Sequence, residues 1–280
     1  MNFARSFCSK IFPHPSKSSS SCRRRIHFNS CCLLPLPFSS SSPHLNLSSR
    51  PNLRNASSST SSAATSWPPS ADASPLSGLE EVMMGYLFGK TKSTQVVHSL
   101  WKHVIRKGDV VIDATCGNGH DTLALLRMVA DKTGGGRVYA MDIQKDALES
   151  TSVLLDQSLS PDEKEHVELF LMCHSKMEEV VPNGVDVRLV AFNLGYLPGG
   201  QKTIVTRSDT TLLALEAAKR ILAPGGFITA VVYVGHPGGR EEFGRVQDFA
   251  SKLPVENWVC CKLEMLNRPL APIVVVLHRR

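Results

Sequence analysis

From Leu79 onward the chain alternates short apolar runs with amphipathic stretches. Val82, Met83, Tyr86 and Leu87, then Val96, Val97, Leu100 and Trp101, recur at three- and four-residue spacing and predict helices as far as Val104, with Gly108 as a break. Apolar runs predict strands over 109–113, 137–142, 166–173, 186–193, 226–234 and 256–265. Helical periodicity fills the intervals, over 120–131, 144–156, 175–180, 208–222 and 240–252. Such repetition predicts an α/β domain with a doubly wound, parallel sheet and helices on both faces. A further apolar run, Ala271 to Leu277, follows the sixth strand after the short turn Asn267-Arg268-Pro269, with no helix between them. Only antiparallel strands are joined by so short a connection. The expectation is a seven-stranded, mostly parallel sheet with an antiparallel last strand.

Composition changes the picture at the N-terminus. Residues 1–71 contain 21 Ser and eight Lys or Arg but no Asp or Glu, and Asp72 is the first acid. A Ser- and Arg-rich, acid-free start predicts a disordered organellar transit peptide and linker over 1–71, ahead of one folded domain over 72–280. Ser-richness favours the chloroplast, with the mitochondrion as the alternative. Apolar stretches such as Leu33-Leu34-Pro35-Leu36-Pro37-Phe38 are too short and proline-broken to span a bilayer, so no membrane partner is expected. The net charge of +6 belongs to this segment, since residues 72–280 carry 23 basic and 25 acidic residues. Overall charge is therefore no argument for nucleic-acid binding, and an RNA substrate must be met by a local patch. Lys102, His103, Arg106 and Lys107 form one candidate and Lys202 with Arg207 another, each with an ordinary solvated face as the alternative. Cys116, Cys173, Cys260 and Cys261 show no metal-ligand spacing, and no metal is expected.

The candidate chemistry begins where the first strand, Val110-Val111-Ile112, runs into Asp113-Ala114-Thr115-Cys116-Gly117-Asn118-Gly119-His120-Asp121-Thr122. Two glycines between a strand and a helix let backbone pass close to a nucleotide-type ligand. A dinucleotide fingerprint needs a third small residue three places after the second glycine, to set the helix N-terminus on a pyrophosphate. Thr122 stands there, and Asp121 beside it repels phosphate. A cofactor without phosphate fits, and S-adenosylmethionine is one. Asp142 ends the next strand, where an acid accepts ribose hydroxyls, and Ile143 and Gln144 follow it in the expected cofactor set. NAD enzymes use an acid there too, so the distinction rests on Asp113, Asp121 and Thr122. Cys116 reads as packing. His120 and His174 read as walls of the cofactor pocket and Ser175 as an adenine contact, while His98 and His103 fall on a helix surface.

The acceptor side follows the fourth strand, in Asn193-Leu194-Gly195-Tyr196-Leu197-Pro198-Gly199-Gly200. An amine attacks a methyl group with its lone pair along the breaking bond. An Asn side-chain oxygen and a nearby backbone carbonyl can hold the amine's hydrogens in that orientation. Tyr196 can stack on a base. His236, in Gly235-His236-Pro237-Gly238-Gly239, is a candidate proton acceptor on the same rim of the sheet. A Gly-rich turn with a capping Asn is the plainer reading of Asn193.

These three segments carry a resemblance to the bacterial family named putative rRNA methylases, some of whose members are tRNA 5-aminomethyl-2-thiouridine methyltransferases. It spans roughly Leu79 to Arg279. The resemblance implies a Rossmann-like class I methyltransferase fold, S-adenosylmethionine as methyl donor, and N-methylation of an aminomethyl group on the wobble uridine of tRNA. Members of the family are often dimeric, so the resemblance implies a homodimer as a partner form. Asn193, Tyr196 and His236 become the expected catalytic residues. Asp113, Thr115, Gly117, Asn118, Gly119, His120, Asp121, Thr122, Asp142, Ile143, Gln144, His174, Ser175, Asn193 and Gly195 become the expected cofactor contacts. Two positions depart from the expected pattern: Cys116 replaces an alanine, and Gln201 stands where an acid is expected after the glycine pair. An rRNA base methyltransferase, a small-molecule N-methyltransferase and a non-enzymatic RNA-binding factor are the alternatives.

Overall fold

The computed structural model describes residues 77–131 and 134–280. The expected transit segment, 1–71, lies outside them. Helices α1 (Leu79–Leu87) and α2 (Ser93–Val104) come first, then β1 (Val110–Asp113), α3 (His120–Val129), β2 (Arg137–Asp142), α4 (Lys145–Ser158) and a four-residue α5 (Pro161–Lys164). Next come β3 (Val167–Leu171), a 3-10 helix (His174–Glu179), β4 (Val187–Leu194), α6 (Ser208–Ile221) and β5 (Leu222–Val232). Helix α7 (Gly239–Ser251), β6 (Trp258–Leu263) and β7 (Ile273–Arg279) complete the order.

The sheet runs β3-β2-β1-β4-β5-β7-β6. Strands β1 to β5 pair in parallel, and β7 is antiparallel to both neighbours, β5 and β6. The expected antiparallel last strand is therefore present, and it lies inside the sheet. Period-2 alternation divides the strands between two apolar layers. Ile112, Val190, Phe192 and Ile228 pack with Ala214 and Leu215 of α6 and Phe243 and Val246 of α7. Val111, Leu189, Ala191 and Val231 face Val97 and Trp101 of α2, Leu125 and Leu126 of α3 and Leu155 of α4. Each fully buried Val, Leu or Ile contributes ~1.5–3 kcal/mol before the entropy of ordering is subtracted. Trp101 Nε1 donates to Thr229 Oγ1 of β5 at 3.1 Å, so the buried indole keeps a polar partner and pins α2 to the sheet.

Two elements differ from the expectation. Helix α5 is too short to show a period, and its sequence signal is instead the capping box: Glu163 N–H donates to Ser160 Oγ, and Ser160 N–H to Glu163 Oε2 at 2.9 Å. Strand β5 begins at Leu222, opposite Val187, and pairing resumes at Phe227 opposite Leu189 after a register shift at Pro224-Gly225-Gly226. The chain steps outward from β1 to β3 and returns to β4 on β1's other side. The crevice beyond the carboxyl ends of β1 and β4 is the switch point, where ligands bind in open α/β sheets. Among the described residues no helix is long and apolar enough to cross a membrane, and no group of three or more His, Cys, Asp or Glu could hold a metal ion.

Candidate active site

Strand β1 ends in Asp113, which is 1% exposed. Its Oδ2 accepts from Thr122 Oγ1 at 2.6 Å and its Oδ1 from Thr115 N–H at 3.2 Å. Thr122 thus stands where a dinucleotide loop has its third glycine because its hydroxyl partners a buried acid. Burial, with the neighbouring charge of Asp121, pushes the Asp113 carboxyl up to about 7, against the pull of those two hydrogen bonds. Asp142, at the end of β2, accepts from Gly117 N–H at 3.1 Å and Gln144 N–H at 2.9 Å. Burial raises its carboxyl too, and these backbone donors oppose the rise.

The two glycines of the turn do different work. Gly117 has φ 51° and lines the crevice. Gly119 has φ 83°, and a Cβ there meets Thr151 Cα of α4 at 2.9 Å, so its demand is helix packing where a ligand approach was expected. Gly119→Ala is expected to cost ~1–3 kcal/mol of stability through strain and this contact, seen as a lowered melting temperature.

A cavity of about 360 Å³ opens over the switch point, within the range of small-molecule sites. The glycine turn forms one wall. A second wall comes from Asp142, Ile143 and Gln144, with Met172, Cys173 and His174 after β3. Burial pushes the His174 imidazole down to about 4, a hydrogen bond to the Ala114 carbonyl notwithstanding, so the ring is neutral and its buried Nε2 has no partner. Cys116 is 4% exposed and burial holds its thiol far above the usual range, which makes it packing and no nucleophile.

The third wall is the end of β4, with Asn193, and the loop after it. Asn193 N–H donates to Thr115 Oγ1 at 2.7 Å, and Asn118 Nδ2 donates to the Pro198 carbonyl at 3.0 Å. These two bonds stitch the acceptor loop directly to the glycine turn. Asn193 Nδ2 donates to Asp121 Oδ2 at 3.3 Å, and Asn193 Oδ1 is buried with no partner. Tyr196 stands at the mouth, 41% exposed, with Lys202 Nζ 5.9 Å from its ring centre and the His236 ring edge-on at 6.2 Å. Thr206, also in this wall, donates to Glu242 Oε2 at 2.7 Å, and Thr211 to Glu242 Oε1 at 2.6 Å. Glu242 is fully buried, burial raises its carboxyl, and through it Thr206 moors the acceptor loop, and Thr211 helix α6, to α7.

Of the residues expected from sequence, Thr115, Gly117, Asn118, His120 and Asp121 line the cavity from the turn. Asp142, Ile143, Gln144 and His174 line it from the cofactor side, and Asn193, Gly195 and Tyr196 from the acceptor loop. Asp113 and Thr122 stand behind the turn as a buried pair. Ser175 turns away to donate to Cys173 Sγ at 3.2 Å, and His236 reaches the mouth only through Tyr196. His98 is a correction. It was expected on the helix surface, but its Nε2 lies 2.6 Å from Asp121 Oδ1 and its ring packs on Trp101 at 4.7 Å. Tyr233, just after β5, falls on the expected rim but was given no role from sequence; it lines the cavity and packs so closely that a Cβ on Gly195 would sit 3.3 Å from it. Of the two basic candidates, Lys107 is occupied at the end of α3, donating to the Arg127 and Ala130 carbonyls near the start of β1, at the opposite rim. Lys202 and Arg207 stand at the cavity.

The model of the family described as "Putative rRNA methylase" matches residues 138–279. A relative from Arabidopsis thaliana, the chloroplastic tRNA (mnm(5)s(2)U34)-methyltransferase, is 65% identical over 208 residues, covering 74% of this chain and 76% of the relative. This chain belongs to that methylase family. A crystal structure from Clostridium thermocellum, described as a "putative rRNA-methylase", superposes with a TM-score of 0.63 at 34% identity, covering 68% of this chain and 98% of that one. A Streptococcus mutans protein described as a "putative methyltransferase", crystallised with SAH, superposes with a TM-score of 0.59 at 30% identity, covering 68% of this chain and 99% of that one. These chains therefore share the Rossmann-like sheet.

Proposed function

We propose that the protein is an S-adenosylmethionine-dependent methyltransferase that N-methylates the aminomethyl group of 5-aminomethyl-2-thiouridine at the wobble position of chloroplast tRNA. One observation carries the reading: the phosphate-averse glycine turn and the Asn193 loop are hydrogen-bonded to each other and share a single cavity. The name of the Arabidopsis relative supports the substrate and the compartment, and the SAH in the Streptococcus structure supports the cofactor. The acid-free, Ser-rich residues 1–71 support organellar import.

The residues fit such a cofactor. Positions 113–122 contain no Lys or Arg, and three carboxylates, Asp113, Asp121 and Asp142, surround the turn, which suits a cation and rejects a pyrophosphate. Asp142 is placed to accept the ribose hydroxyls, and the orphan Nε2 of neutral His174 to accept an adenine amino hydrogen. When bound, S-adenosylmethionine supplies a methyl group activated on a sulfonium. Asn193 Oδ1 accepts a hydrogen of the substrate amine and aims its lone pair. Tyr196 offers its face to the uracil ring, and Lys202 and Arg207 meet the phosphates at the mouth. An alkylamine is protonated at neutral pH and must lose one proton before it attacks. That proton is given up to solvent at the open mouth beside Tyr196, and His236 stays outside the cavity as the ring that backs Tyr196.

The test is incubation of the protein with labelled S-adenosylmethionine and tRNA lacking the modification, followed by nucleoside mass analysis. The label is expected at nucleoside 34. Label confined to ribosomal RNA moves the assignment to an rRNA base methyltransferase.

A further inference from the structure

We infer that His98 and Asp121 are positioning residues that fix which end of the Asn193 amide meets the methyl acceptor. The inference rests on the proposed role of Asn193 as the amine's contact. An Asn amide can present oxygen or NH2 to a substrate at almost no intrinsic cost, and only the oxygen can receive an amine hydrogen. Something must choose. Asp121, its side chain 13% exposed, is placed to do so. An ionised carboxylate accepts and never donates, so Asn193 turns its NH2 to Asp121 Oδ2, at 3.3 Å, and its Oδ1 is left as the unpartnered end.

Asp121 is itself held. Its other oxygen lies 2.6 Å from His98 Nε2, which the carboxylate requires to be a donor. The His98 ring rests on Trp101, centroids 4.7 Å apart, and Trp101 is bonded to Thr229 in the sheet. A continuous line of contacts thus runs from β5 through α2 to the acceptor amide. Helix α2 precedes the βαβ units, and both His98 and Asp121 lie before the span, 138–279, matched by the family model. Helix α2 is thereby a working part of the site.

The test uses the full chain. His98→Phe keeps a ring on Trp101 and removes the donor, while His98→Gln keeps an amide donor for Asp121. His98→Phe is expected to lower kcat by about tenfold to a hundredfold, with KM for tRNA and Kd for S-adenosylmethionine within about twofold, and His98→Gln to recover most of the loss. The decisive readout is a double-mutant cycle: in an Asn193→Ala background His98→Phe is expected to cost almost nothing more. Wild-type kcat in His98→Phe, or the same loss in both backgrounds, overturns the inference. Should His98→Phe fail to fold, His98→Leu, which also removes the donor, is read in the same cycle. Should the wild type leave nucleoside 34 unlabelled, the substrate assignment falls separately, and the Asn193 side-chain amide signals in NMR decide the positioning claim. Slow amide-proton exchange in wild type and His98→Gln, with fast exchange in His98→Phe, supports it; equal exchange in all three overturns it.

Discussion

Replacing Asn193 by alanine is expected to cut turnover about 100-fold, equivalent to ~2.7 kcal/mol of barrier, while S-adenosylmethionine affinity stays within about twofold. The separation follows from how the residue is attached. Its backbone N–H holds Thr115 of the glycine turn at 2.7 Å, and alanine keeps that bond. Only the side-chain oxygen, buried and unpartnered, is lost to the incoming amine. Asp142→Ala is the mirror case. Its two oxygens each hold one backbone N–H, of Gly117 and of Gln144, so its removal loosens the cofactor side and is expected to weaken Kd by about tenfold or more. Single-turnover rates and calorimetry on both variants separate the two effects. Comparable loss of cofactor affinity in Asn193→Ala and Asp142→Ala would sink the division of roles.

Binding of S-adenosylmethionine is expected to release a proton and to weaken up to tenfold for each pH unit below about 7. Asp113 sits near pH 7 because it is buried and faces the negative charge of Asp121. A cationic ligand in the adjoining cavity favours the ionised form, so the carboxyl is lowered in the complex. Binding then strengthens as pH rises toward the free-state value of about 7 and levels off above it. Stability carries the opposite sign. A carboxyl raised in the folded chain favours folding fully below its unfolded range near 4, and that contribution is lost as pH climbs through about 7. Calorimetry in buffers of different ionisation enthalpy measures the proton directly. Asp113→Asn keeps the titration of the ligand itself and serves as the reference, in which the step near 7 is expected to vanish. A step of equal size in that variant assigns the proton elsewhere.

The sheet was legible because buried parallel strands are written as short apolar runs, and the Asn267-Arg268-Pro269 turn is too short for a crossover. The walls of the site were legible for a related reason. Strand ends such as Asp113, Asp142 and Asn193 must share one rim once the strands are parallel. Missing were contacts between elements. His98 lies three residues before Trp101 and so shares its helix face, which is a signal in retrospect, yet nothing local announces that Asp121 waits across from it. Gly119 offered the same pattern whether a ligand or Thr151 pressed on it. Tyr233 ended an apolar strand whose last residues point either into the core or into the crevice, and only the seating of Gly195 decides between them.

Strand β7 carries a consequence for how this half of the molecule assembles. It is the last strand in the chain, yet β5 and β6 touch it and not each other. Five of the seven strands can pair as they emerge, but β6 has no place to dock until residues 273–279 have arrived and inserted. Loss of those seven residues therefore also unseats the six of β6, leaves the apolar flank of β5 as an open edge, and turns a C-terminal truncation into an aggregation lesion.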